Sequence, residues 1–102
     1  MRFAPIAMVA IGLAVAAPAL AADKVSDVEY IQAARCLGIA KGLSADATAL
    51  EAFVKTAGRT RLSYIQMRAD EEQARGKRDA KSSARTERAA AELSGQCQAY
   101  KG

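Results

Sequence analysis

The residues with chemical reach in this sequence are two cysteines, a scatter of serines and several interleaved clusters of Arg, Lys, Asp and Glu. There is no His, which removes the commonest general base and the commonest metal ligand. Ser44, Ser63, Ser82, Ser83 and Ser94 therefore have no imidazole to activate them. Lys81-Ser82-Ser83 offers a Ser-Lys pair, but in a polar stretch where preorganisation is hard to build. Asp70, Glu71, Glu72 and Asp79 alternate with Arg68, Arg75 and Arg78, and the spacing predicts Arg68–Glu72 and Glu71–Arg75 pairs on a helix surface. No metal-binding loop and no glycine-rich phosphate loop accompany these acids. These features point away from an enzyme, and they call for no cofactor and no metal.

Cys36 and Cys97 allow one intramolecular pairing. They are far apart in sequence, unlike the closely spaced pairs of redox sites. A structural disulfide is expected, provided the protein works in an oxidising compartment.

The first residues address that condition. Met1-Arg2 is a short positive start, Ile6 to Ala17 is an apolar run, Pro18 closes it, and Ala19-Leu20-Ala21 presents small residues at the two positions read by a signal peptidase. Residues 1–21 are read as a cleaved secretory signal peptide, cut after Ala21 or alternatively after Ala22. The remainder, 22–102, is read as a single helical domain with no stable membrane span, periplasmic or secreted, in a bacterium by the character of the leader.

The mature stretch is rich in Ala, Arg, Glu, Lys and Gln, all good helix formers, has no proline after Pro18 and shows no apolar/polar alternation. The expected fold is all-α. Its form is a small disulfide-stapled three-helix, up-down-up arrangement with a long polar helical hairpin. Helix one begins near Ser26, where Ser26-Asp27-Val28-Glu29 forms a capping box with Val25 and Tyr30 at the staple positions. It runs to about Lys41, and Gly42 is placed to end it. Helix two starts at Ser44 or Asp46. Its stripe passes through Leu50, Phe53, Val54, Ala57, Thr60, Tyr64, Met67, Glu71 and Ala74, either continuing to about Arg75 or breaking at Gly58. Helix three covers roughly 78–99, with a heptad seam through Asp79, Ser83, Thr86, Ala90, Leu93, Cys97 and Tyr100. Turns at 43–44 and 76–77 leave the cysteines about 7 Å out of level at the helical rise. An earlier second turn would align them.

On such a third helix Lys77, Lys81, Arg85 and Arg88 share the face opposite the seam, with Arg78 at its edge. A basic stripe of this kind suits an acidic protein or an anionic envelope component. Glu92, Asp79 and Glu87 dilute it, and a plain solvated face would look the same. Lys plus Arg number 15 against 11 Asp plus Glu, a net charge of +4. That excess is mild, and no aromatic interleaves with the cations, so nucleic acid is not expected.

An export signal, a short helical body and one disulfide together make a chain that resembles, in organisation, the small periplasmic stress chaperones of bacteria. That resemblance implies exposure of apolar surface under stress. The leading expectation from the residues is a non-enzymatic partner-binding or envelope accessory protein. A secreted effector acting on anionic envelope components is the further alternative.

Overall fold

A computed structural model describes residues 21–101; the expected signal peptide lies outside the described residues apart from Ala21. The described chain is all helical and carries the Cys36–Cys97 disulfide. Four α-helices follow a short 3-10 turn at Ala22–Lys24: α1 Asp27–Gly42, α2 Thr48–Gly58, α3 Ser63–Lys81 and α4 Thr86–Ser94. A final 3-10 segment spans Gln96–Tyr100.

The start of α1 follows its sequence. The Ser26 hydroxyl accepts from the Glu29 backbone N–H at 3.2 Å, and the Glu29 carboxylate accepts from the Ser26 N–H at 3.0 Å. Val25 and Tyr30 are both buried beside this box. The end of α1 differs from expectation. Gly42 is its last residue, and the reversal is made by Ser44, whose φ of 58° lies in the left-handed region. The Ser44 N–H donates to the Lys41 carbonyl and the Ala45 N–H to the Ala40 carbonyl, a Schellman pattern with Ser where Gly is usual.

Gly42 has another task. A Cβ there would stand 2.7 Å from the Ala80 Cβ and 2.8 Å from the Lys77 carbonyl oxygen. Gly38 and Gly76 are tighter: a Cβ would come within 1.9 Å of the Gln73 carbonyl oxygen and 2.4 Å of the Arg35 carbonyl oxygen, respectively. The α1 and α3 backbones thus touch along a track of small residues, which also includes buried Ala69 and Ala80. Gly38 lies against residue 73 and Gly42 against residues 77 and 80, so α3 runs alongside α1 in the same direction.

Asp46 lies just before the α2 N-cap Ala47, and its carboxylate accepts from the Thr48 N–H at 3.0 Å. Helix α2 returns antiparallel to α1, with Glu51 paired to Lys41 and Gly58 lying under the Tyr30 ring. The chain then reverses at Gly58, choosing the second of the two courses open to helix two. Arg61 fixes the reversal. Its guanidinium donates to the Ala57 carbonyl at 2.8 Å, the Asp27 carboxylate at 2.7 Å and the Val25 carbonyl at 2.6 Å, and sits 5.3 Å from the Tyr30 ring centre. The Gln66 amide donates to the Gly58 carbonyl at 2.7 Å. These bonds satisfy carbonyls that the end of α2 leaves open.

The reversal resets the helical phase. Tyr64 and Met67, expected on the buried stripe, are each 62% exposed, while Ile65 and Ala69 are buried in their place. The second turn is also displaced, to a later position rather than the earlier one expected to align the cysteines. Helix α3 continues through Gly76 to Lys81, and the turn occupies 82–85. Contact with α1 offsets the weak helix propensity of Gly76. The single helix expected over 78–99 is therefore three pieces: the end of α3, α4 and the 3-10 segment. Its heptad seam is redrawn accordingly, with Ala89 buried and Ala90 exposed, though Cys97 and Tyr100 are buried as expected.

Helix α4 descends along α1, bringing Ala89 to Ile39 and Ala80, Glu92 to Arg35 and Cys97 to Cys36. The bridge joins Cα atoms 5.7 Å apart. Its surroundings are the main core, with Tyr30, Leu37, Leu50 and Phe53. The Phe53 and Tyr100 rings are 5.3 Å apart at 57°, a tilted aromatic contact.

Candidate anionic-partner surface

The expected basic stripe is carried by two helices rather than one. Lys77 and Lys81 lie in the last turns of α3, Arg85 immediately precedes α4, and Arg88 is in the first turn of α4. The turn at 82–85 intervenes, so the premise of one continuous helix face is corrected. All four side chains remain exposed.

The turn creates a grouping that helical periodicity could not show. Arg75, Arg78, Asp79, Ser82 and Arg85 line one open depression at the corner between α3 and α4. Lys77 faces a second depression with Lys41, Asp70, Gln73 and Ala74. From Arg75 to Arg88 there are six basic residues against Asp79 and Glu87. Arg75 pairs with Glu72 at 2.8 Å, and Arg68 with Glu71 at 3.7 Å. The same four residues were expected to pair four apart, as Arg68–Glu72 and Glu71–Arg75. They pair three apart instead, with the Glu72 side chain partly buried. The Arg68–Glu71 pair is exposed at both ends and contributes little to stability. Among the described residues, Lys77, Arg78, Lys81 and Arg88 make no ion pair within 4.0 Å.

The acids expected to weaken the stripe are mostly turned inward. Arg35, on α1, makes a two-pronged bond to Glu92, with Nε to Oε1 at 3.1 Å and Nη2 to Oε2 at 2.9 Å. Its Nη1 meets the Asp79 carboxylate at 3.0 Å. The three side chains are only 16%, 18% and 19% exposed for Arg35, Asp79 and Glu92. The bond to Glu92 holds the Arg35 guanidinium well above its ordinary pKa, burial pulls the other way, and Asp79 adds to the rise. One partly buried cation thus offsets one of the two acids and ties α1, α3 and α4 together. Asp79 retains a longer contact to Arg85 at 3.8 Å.

No other grouping offers chemistry of comparable definition. Among the described residues there is no cluster of three His, Cys, Asp or Glu placed to hold a metal. No described helix is long and apolar enough to cross a membrane. Burial pushes the Tyr30 hydroxyl above its ordinary pKa, with Asp70 adding to the effect and Arg61 opposing it. The Tyr100 hydroxyl is raised by burial and by Glu29. Both tyrosines act as core residues.

Comparison with protein-family models, with curated proteins and with solved structures returned no match. The chemistry of the surface itself therefore carries the functional reading.

Proposed function

We propose that this is a non-enzymatic helical binding protein of the periplasm or the extracellular space. In this reading it engages an acidic protein or an anionic envelope component through the cationic corner between α3 and α4. The observation that carries the reading is the excess of exposed cations at that corner, with Lys77, Arg78, Lys81 and Arg88 free of carboxylate partners within the described residues. The leader-like sequence of residues 1–21 and the disulfide support an exported site of action.

Lys81→Glu combined with Arg85→Glu tests it. Both side chains are exposed, so the variant should keep its helical circular dichroism. Binding to anionic vesicles or lipopolysaccharide should fall severalfold. Wild-type binding should weaken as salt rises, because exposed charges are screened beyond about 10 Å at 0.1 M. Binding that is equal at low and high salt would rule out this surface.

A second reading, a stress chaperone, is favoured by the exposure of Val28, Leu62, Tyr64 and Met67. It expects apolar-dye binding and client protection to rise sharply below about pH 4, where carboxylates protonate. A protein that stays helical there and binds no dye is not such a chaperone.

A further inference from the structure

The outward side of α3 changes character along its length. Its inward side is set by buried Ile65, Ala69, Gly76 and Ala80. On the opposite side, Tyr64, Met67, Arg68, Glu71, Arg75 and Arg78 fall within roughly 100° of one another at 3.6 residues per turn. The first end of this strip is apolar. Tyr64 and Met67 on it are each 62% exposed, and Leu62, in extended conformation just before the helix, is 65% exposed. The middle is neutralised by the Arg68–Glu71 and Arg75–Glu72 pairs. The last end is cationic, with Arg78 exposed on the strip, Lys81 exposed beside it and Arg85 just beyond. Tyr64 and Arg78 are separated by about 21 Å along the axis, at 1.5 Å per residue.

We infer that this side of α3 docks on an anionic phospholipid surface, with Tyr64 and Met67 entering the headgroup layer and Arg78, Lys81 and Arg85 resting on lipid phosphates. The inference rests on the anion-binding reading of the cationic corner and names its partner. Charge complementarity accounts for the cationic end alone. A free phosphate would satisfy that end and leave the apolar end without a role. A bilayer surface offers phosphate and hydrocarbon within a few ångströms of depth, at every point along a helix lying flat. Tyrosine suits that boundary, with an apolar ring and a polar hydroxyl. Each surface cation is attracted to an anionic leaflet, and the apolar side chains add a component that salt does not screen.

The chain contains no Trp, so Met67→Trp gives a single reporter at the apolar end. With the disulfide-bonded protein and vesicles of mixed phosphatidylglycerol and phosphatidylcholine, its emission should shift to the blue and be quenched by brominated acyl chains. Tyr64→Ser with Met67→Ser should keep the fold, because both side chains are exposed, and should weaken vesicle binding by about tenfold. Pure phosphatidylcholine vesicles should bind weakly. If Tyr64→Ser/Met67→Ser binds as the wild type does and the reporter is not quenched, lipid docking is overturned. In that case a loss of binding in Lys81→Glu/Arg85→Glu still leaves the anion-binding reading standing. Binding to soluble polyphosphate without binding to vesicles has the same meaning. Equal binding to neutral and anionic vesicles, or binding to none of these probes, overturns both.

Discussion

Removing Arg35 would leave two largely buried carboxylates, Asp79 and Glu92, without the cation that holds them. An unpaired buried charge costs more than the net worth of the pair it came from. Arg35→Ala should therefore lower unfolding free energy by about 2 kcal/mol. Arg35→Lys should recover less than half of that, because an ammonium cannot span two carboxylates as a planar fork does. Urea unfolding followed by circular dichroism measures both, and midpoints equal to wild type would show that the triad is not structural. Nothing near Arg35 in the sequence announces this role. Ile31, Gln32, Gly38 and Ile39 occupy the positions three and four away, and none is acidic. Its bidentate partner lies 57 residues away. For the same reason Asp79 and Glu92 read as diluents of a basic stripe when they are in fact tied inward. The cations of the candidate surface were legible as a group. Their division between two helices, and the Arg75–Arg78–Ser82–Arg85 depression, depend on a turn that residue types alone did not place.

At the scale of elements, legibility followed the kind of signal each junction carries. Helix α1 begins where its capping box says, because that signal is local and chemical. The spacing of Tyr64 and Met67 continues the stripe of α2 and so points to the core, but apolar periodicity carries no record of a reversal. The polar ends of the second and third stripes meet around Gly76, which points to a turn at 76–77. Contact between backbones explains the position of Gly76 inside α3, and buried glycines are invisible to a search for large apolar residues. Gly38→Ala measures this directly. Alanine is about 1 kcal/mol the better helix former, so propensity alone predicts a gain. A Cβ 1.9 Å from the Gln73 carbonyl oxygen must instead push backbone against backbone. The expected result is a net loss of about 1–3 kcal/mol, read from thermal or urea unfolding. A stabilised Gly38→Ala protein would mean that α1 and α3 do not approach as described.

For the molecule as a whole, the bridge between Cys36 and Cys97, 61 positions apart, closes a covalent ring that contains the last part of α1 and all of α2, α3 and α4. Restriction of the unfolded chain by such a ring is worth about 4 kcal/mol in the loop-entropy description. The exposed turn at 82–85 lies on that ring and carries a tryptic site at Arg85. A single cut there opens the ring without parting the protein. The nicked form should gain the mass of one water, keep its size on a non-reducing gel and separate into two peptides only when reduced. Immediate separation without reductant would show that the bridge had not formed. Two peptides tethered by one sulfur–sulfur bond still unfold and refold as one species, so the melting temperature of the nicked, oxidised protein should not depend on its concentration. Once the bond is reduced, refolding requires one peptide to find the other in solution, and the same transition becomes second order.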